Sequence, residues 1–447
     1  MEVQAMPCGR GRCIVATADF DDDEIVFSIP RKAVLNVQTA LPNVNTSVSQ
    51  AIPDMPSWLG LTTLMISESF RQDSKWAPYF SVLPQELDSL VFWSDSELAE
   101  LQASTVAHKI GKVKAEEMFS QHIAPLGLTD CSTDMCHRVA SIIMAYAFDI
   151  PEKISTTEGD TSLGDVEDEL ISDDEGDEKT LLSMIPLADM LNADAARNNA
   201  RLCCDNEDLE MRTIKPIAKG EEIFNDYGQL PRSDLLRRYG YVTKNYAIYD
   251  VAEISTESML TAFRNGTIQT PNLEHLSDQD LERRVELAER EGVYEETYDL
   301  AHPGPDGPSI PDELLAFIYL LLVDNENFES ITKSQTSVPS RSKLATELVG
   351  KVLVDLLRAR EEEYATTIEE DDILEAAESI PRRTKMAIQV RLGEKQVLRD
   401  AIREAGSFRG DNKRMRLPTV TKTNGTVQNG KRRGEEVSKP IKKGRFQ

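Results

Sequence analysis

Gly220-Glu221-Glu222-Ile223-Phe224-Asn225-Asp226-Tyr227-Gly228 is the stretch whose reading decides the fold. Lys219-Gly220 marks a turn, and Glu222–Phe224 reads as a short strand leaving it. Leu209–Ile214 reads as a second strand upstream of that turn. Downstream, Leu235-Leu236-Arg237-Arg238-Tyr239-Gly240-Tyr241 closes the same β-rich block. An isolated tyrosine is ordinarily a core ring with a satisfied hydroxyl, and that reading serves most of the eleven tyrosines here. Tyr227 and Tyr239 differ because of the segments that flank them.

Two further segments belong with this one. The first is Gly9-Arg10-Gly11-Arg12-Cys13-Ile14-Val15-Ala16, followed by a strand ending Ser28-Ile29-Pro30; the second is Ile185-Pro186-Leu187-Ala188-Asp189-Met190-Leu191-Asn192-Ala193-Asp194. A glycine at position 11 lets the backbone approach a ligand closely, although a lone Gly-x-Gly is more often an ordinary turn. Asn192 has an amide that both donates and accepts, yet asparagine also commonly closes turns.

In this order and spacing the three segments resemble the SET-domain methyltransferases of the Rubisco large-subunit methyltransferase type. Trp76-Ala77-Pro78-Tyr79-Phe80 and Arg391-Leu392-Gly393-Glu394-Lys395 resemble the same family, so that the likeness spans roughly residues 9–405. The resemblance implies an α+β fold: a β-rich knotted core with a helical insert, followed by an α-helical substrate-binding domain. It implies S-adenosyl-L-methionine as cofactor and a protein lysine as acceptor. Arg10, Gly11 and Arg12 would supply main-chain contacts to the cofactor. Asn192 and the Ala193 backbone would hold its amino-acid end, with Tyr146 and Tyr227 also touching it. Trp76, Ala147, Asp189 and Tyr239 would stand on the substrate side, and Tyr227 and Tyr239 would be catalytic. The chain departs from the family pattern at Ala193-Asp194, where His-Ser is common, and at Cys13, where glycine is common. Members usually carry a helix ahead of the glycine turn, which points to a shortened start.

The chemistry asks much of the tyrosines. A free lysine has a pKa near 10.4, so roughly one in a thousand is neutral at pH 7. A narrow apolar channel disfavours the ammonium, and hydroxyls at its inner end can accept from the amine and orient its lone pair.

Along the chain, residues 1–56 read as the first part of the core, with strands at Cys13–Ala16, Ile25–Ile29 and Val34–Val37. Residues 57–150 read as the helical insert, with Leu61, Leu64 and Met65 on one face and Val139, Ile142, Ile143, Tyr146 and Ala147 on another. Residues 151–180 hold twelve acidic side chains and no aromatic, and are expected to be a disordered loop; Ser172 before Asp173-Asp174-Glu175 resembles an acidic-directed kinase site. Residues 181–250 complete the core. Residues 251–408 read as the helical domain: Leu314–Val323 is apolar all round, and Leu344, Leu348, Val352 and Leu356 form a stripe. Residues 409–447 read as a basic flexible tail.

The net charge of −27 divides unevenly, with +9 on residues 409–447 and −36 on the remainder. An acidic body repels nucleic acid and attracts basic proteins, so direct sequence-specific nucleic-acid binding is not expected. The same acidity would also serve solubility alone. No segment reads as a membrane span: the longest apolar run, Leu314–Val323, is half of what a bilayer needs. The six cysteines lack the spacing of a zinc site, and Cys136-His137 is read as a half-buried thiol and its neighbour, with no metal. Lys431-Arg432-Arg433 and the cluster from Lys439 to Arg445, with Lys442, Lys443 and Arg445 among them, resemble a two-part nuclear localisation signal, implying an import receptor and a nuclear enzyme. The expected substrate is a basic protein, foremost a large-subunit ribosomal protein. The rivals are a transcription or chromatin protein as substrate, and an inactive acidic escort for basic proteins.

Overall fold

Several small sheets, rather than one broad one, build the first half of this computed structural model, which describes residues 1–5, 11–128, 130–152, 180–204, 208–268, 276–305, 307–333 and 339–416. Strand β1 (Glu2–Ala5) pairs antiparallel with β2 (Arg12–Val15). The far edge of β2 is covered by the deciding stretch: the Ile223 N–H donates to the Ile14 carbonyl at 2.8 Å and that of Gly220 to Ala16 at 2.8 Å. Strands β3 (Ile25–Pro30), β7 (Ala200–Cys204) and β8 (Asp208–Thr213) form an antiparallel sheet with β8 in the centre. Leu209, Met211 and Thr213 of β8 point inward at alternate positions, as a half-buried strand requires.

Strands β4 (Ala147–Pro151) and β5 (Thr180–Met184) pair antiparallel and bring the two ends of the acidic segment together; the segment itself lies outside the described residues. Strands β6 (Asn192–Ala193) and β9 (Phe224–Asn225) pair in parallel. Parallel strands need a long crossover, and β7 and β8 supply it. Two-residue strands make few ladder bonds, and Asn199 reinforces them: its buried side chain accepts the Phe224 N–H at 2.8 Å and donates to the Glu222 carbonyl at 2.9 Å. Ile14, Ile29, Leu209, Met211, Ile217 and Ile223 close the core beneath these pairings.

Some sequence expectations are corrected. Val34–Val37 is not a strand. Asn36 caps the short helix Val37–Ala40 through a reciprocal capping box with Thr39, which turns the chain out of the sheet. The helical face read from Val139 to Ala147 stops one residue short: the helix ends at Tyr146, and β4 begins at once with Ala147. Glu2–Ala5 is too polar to announce itself as a strand and is held by pairing alone.

The insert is organised by the helices Ser57–Ser69 and Thr133–Tyr146, packed around Leu61, Leu64, Met65, Phe119, Ile142 and Ile143. In the C-terminal region, the helix Asp312–Leu322 is buried on all sides from Leu314 onward, as its apolar run predicts. It packs with the helices Glu347–Glu362 and Arg382–Gly406 and with the hairpin β10 (Val251–Ser255) and β11 (Thr297–Ala301). Residues 409–416 are not part of a free tail. The Arg414 carbonyl accepts the Asp324 N–H at 2.9 Å, the Arg416 N–H donates to Leu322 at 3.0 Å, and Met415 is buried. The basic residues surrounding Met415 hid this packing from a composition-based boundary. Residues 417–447, with both basic clusters, lie outside the described residues.

The long helix Arg382–Gly406 joins the halves. Gly393 lies against the buried Arg232–Asp250 ion pair, whose closest N–O distance is 2.5 Å. Asp371, fully buried, is shared by Arg391 at 2.8 Å and Lys395 at 2.5 Å. Glu394 accepts from Ser104 of the insert and from Tyr364, each at 2.6 Å.

Candidate active site

Tyr239 ends the helix Arg232–Tyr239, and Gly240 terminates it in the left-handed conformation, φ +71°. A Cβ at Gly240 would stand 2.7 Å from the Ser89 nitrogen and 2.8 Å from the Asp88 carbonyl carbon, so only glycine lets this turn rest on the insert. That contact fixes both neighbours, Tyr239 and Tyr241. The Tyr239 ring stacks on Tyr227, centroids 4.4 Å apart and planes 6° from parallel, while Tyr241 meets Tyr239 edge-on at 6.3 Å. Tyr227 follows β9 directly, and its hydroxyl donates to the Leu191 carbonyl at 3.3 Å, just before β6. The parallel pairing therefore places the catalytic candidate on the Asp189–Ala193 loop.

Burial pushes the Tyr227 phenol well above its usual range, helped by Tyr241, Tyr239, Tyr146 and Asp189. Tyr239 and Tyr146 are raised as well, chiefly by burial. These hydroxyls stay protonated at neutral pH, so they act by donating and accepting hydrogen bonds, not as phenolates.

Asp189 is buried beside them. The Tyr79 hydroxyl donates to its Oδ2, and among the described residues its Oδ1 has no hydrogen-bond partner. Burial raises the Asp189 carboxyl to about 6, opposed by the Tyr79 hydrogen bond and the Arg12 guanidinium. Asn192 donates from Nδ2 to the Arg12 carbonyl at 3.0 Å and to Glu222 Oε1 at 2.7 Å. Its amide nitrogen thus ties the glycine turn to the deciding stretch. Gly11 has φ +100°, and a Cβ there would meet nothing within 4 Å; the glycine serves backbone conformation, not close packing. Ala193 lies in β6, and the carbonyl of its partner Asn225 accepts the Asp194 N–H at 3.2 Å. Arg10 lies outside the described residues.

The structure thus brings Arg12, Tyr146, Asp189, Asn192, Tyr227 and Tyr239 around one loop. Trp76 is buried in the insert core, and its Nε1 donates to the Ala33 carbonyl at 2.9 Å. Tyr79, three residues on and one helical turn away, is the residue of that segment that reaches the site. Ala147, the first residue of β4, packs against the insert core. Sequence reasoning missed Tyr79, Tyr241, Asn199 and Glu222, although Tyr79, Glu222 and Tyr241 stand inside segments it singled out. Away from this site, His137 meets Glu116 at 3.0 Å, and the Cys131 and Cys136 sulfurs are 3.5 Å apart. No group of three or more metal-ligating side chains occurs among the described residues.

The residues fit S-adenosylmethionine. Its sulfonium is a cation of the kind aromatic faces favour, and the Tyr227–Tyr239 pair provides them. The open side of Gly11 leaves backbone available to its polar end.

Comparison with known proteins agrees with this geometry. Residues 11–228 match the SET domain and residues 275–398 the Rubisco LSMT substrate-binding domain. Ribosomal lysine N-methyltransferase 4 of Saccharomyces cerevisiae is 36% identical over 281 residues, 59% of this chain and 56% of the relative's length. Human N-lysine methyltransferase SETD6 is 25% identical over 426 residues, covering 87% of this chain and 83% of the relative. The SET domain of LSMT bound to lysine and AdoHcy superposes with a TM-score of 0.64 at 20% identity, covering 90% of this chain and 86% of that one; LSMT bound to AdoMet gives the same TM-score and coverage at 19% identity. The chain belongs to the SET-domain protein-lysine N-methyltransferases, dependent on S-adenosylmethionine, that carry a Rubisco LSMT-type substrate-binding domain.

Proposed function

We propose that the acceptor is a lysine on a basic protein, foremost a large-subunit ribosomal protein, and that the enzyme works in the nucleus. The observation that carries the catalytic part is the stacked Tyr227–Tyr239 pair beside Asp189. The cofactor supplies a methyl group made electrophilic by a sulfonium. The acceptor nitrogen must give up its ammonium proton to solvent and then point its lone pair along one line. Tyr227 and Tyr239, protonated and held by ring stacking, supply fixed hydroxyls for that orientation. Restricting the amine in this way accounts for much of the expected rate gain.

Arg10, where the described residues give no side chain, and the backbone of Gly11, Arg12 and Ala193 are the proposed cofactor contacts, together with Tyr146 and Tyr227. In this reading Asn192 holds the Arg12 turn in place for the cofactor. Asp189, Tyr239 and the Ala147 strand start are the proposed substrate side. The −36 carried by residues 1–408 supports a basic partner. The Saccharomyces relative's name supports a ribosomal one. A transcription or chromatin protein is the second reading, supported by the SETD6 relatives, whose similarity extends over more of the chain. The two basic clusters beyond residue 430 support import by a receptor.

Incubating the protein with labelled cofactor and either salt-washed large ribosomal subunits or a ribosome-depleted nuclear extract tests the substrate. A labelled band among the subunit proteins supports the ribosomal assignment; label confined to the extract overturns it.

A further inference from the structure

Asp189 and Tyr79 form a buried pair drawn from different parts of the fold. Tyr79 belongs to the short helix Ala77–Phe80 of the insert, and Asp189 to the loop that leads into β6. Asp189 is 7% exposed and Tyr79 8%. A buried carboxylate oxygen without a donor is costly to leave unmade, and such a group calls for a partner. Here Oδ2 takes the Tyr79 hydroxyl while Oδ1, among the described residues, takes nothing. The side chains facing this carboxylate are Arg12 from β2, Tyr146 from the end of its helix, Tyr227 after β9 and Tyr79 itself, and the backbone N–H groups of Leu187 and Asp189 also favour its anion. Only Arg12 among them is cationic.

We infer that Tyr79 is a positioning residue for methyl transfer: its hydroxyl fixes the Asp189 carboxylate so that Oδ1 receives the ammonium of the incoming lysine. This rests on the methyltransferase reading and extends it to a residue outside the family's three motif segments. The pair would select a protonated side chain on entry, before the amine gives up its proton to solvent. A phenol, unlike a lysine or arginine, can hold the carboxylate without satisfying its charge, so the charge stays available to the substrate. The Tyr79 hydrogen bond favours the ionised form of Asp189. Removing it raises the carboxyl's pKa, and the anion is then lost at a higher pH.

An ammonium could come from the target lysine or from the amino-acid end of the cofactor, and binding experiments separate them. Affinity for free L-lysine and for norleucine, its uncharged analogue, is measured by calorimetry from pH 5 to 9 with S-adenosylhomocysteine present. Affinity for S-adenosylhomocysteine itself is measured alongside. Lysine keeps its side-chain charge across this range. In the wild type, preference for lysine over norleucine is expected above pH 7 and is expected to vanish as pH falls through about 6. In Tyr79→Phe the transition moves upward, leaving lysine bound roughly tenfold more weakly at pH 7 and near wild type at pH 9. Norleucine and S-adenosylhomocysteine affinity stay unchanged in the variant. Asp189→Asn abolishes the preference at every pH. A transition at the same pH in wild type and Tyr79→Phe, or equal weakening of lysine and norleucine, overturns the inference. Loss confined to S-adenosylhomocysteine would assign Oδ1 to the cofactor and overturn it too. Because no step requires turnover, absence of methyl transfer would refute the enzymatic reading separately.

Discussion

At the residue scale, the site divides into groups that face a ligand and groups that hold other groups. Tyr227 combines a stacked ring, a hydroxyl on the Leu191 carbonyl and a phenol that burial keeps protonated. Tyr227→Phe retains the stack and removes only the hydroxyl. Turnover is expected to fall by about a hundredfold, a usual contribution of one positioned polar group, with S-adenosylmethionine affinity within a factor of two; single-turnover kinetics beside calorimetry reads both. Asn192 is of the second kind, since its amide nitrogen spans Arg12 and Glu222. Asn192→Ala strands those acceptors and is expected to weaken cofactor binding by about 1–3 kcal/mol. Unchanged affinity by calorimetry would refute the link between this amide and the glycine turn. The identity of Tyr227, Tyr239 and Asn192 was legible because each stands in a segment with a recognisable pattern. The hydrogen bonds Asn192 makes to Arg12 and Glu222 were not legible, since an amide suits a zwitterionic ligand as well as it suits a carbonyl and a carboxylate. Tyr79 was passed over for Trp76 in the same segment, yet its hydroxyl is the one that meets Asp189.

At the element scale, the turn after Tyr239 matters more than the helix it ends. Gly240 and Gly266 both close helices in the left-handed conformation, but only Gly240 is pressed against another backbone. Gly266→Ala is expected to cost about 1 kcal/mol for conformation alone. Gly240→Ala must also displace residues 88–89, so it is expected to cost more than about 2 kcal/mol and to depress turnover by shifting Tyr239 and Tyr241. Denaturant melts of the two variants check the order, and equal losses would show that the insert yields. Strand periodicity made β8 readable, and the apolar run made Asp312–Leu322 readable. The two-residue strands β6 and β9 carry no periodicity at all. Their pairing is written in Asn199, whose side chain closes the crossing, and a single asparagine gives no warning of that in a sequence. Likewise, Val34–Val37 has strand composition, yet one capping box outweighs it.

At the scale of the whole molecule, the C-terminal domain is bound to the rest through charge as well as apolar contact. Glu394, buried against Ser104 and Tyr364, has its carboxyl raised to about 7, first by burial. The unfolded chain releases that proton near pH 4.3. Between these values the folded state holds more protons, so this group's contribution to stability is present below about pH 4.3 and is lost as pH rises toward 7. Relative to Glu394→Gln, the wild type is therefore expected to lose melting temperature steadily from pH 4.5 to 7. Parallel curves would assign the proton elsewhere. The C-terminal helices were legible from their apolar stripes, and their place after a SET core only through the family resemblance. The joint was not, because Arg391, Glu394 and Lys395 have the composition of an exposed helix face and are nonetheless buried. Their partners lie at Asp371, Glu100 and Ser104, far away in sequence. The account as a whole stands or falls on where the methyl group goes. The most direct measurement is acid hydrolysis and amino-acid analysis of proteins labelled by the purified enzyme with methyl-labelled S-adenosylmethionine. Label recovered as methylated lysine with the wild type, and about a hundredfold less with Tyr227→Phe, is the predicted result. Label on any other amino acid, or equal methyl-lysine from both proteins, would contradict it.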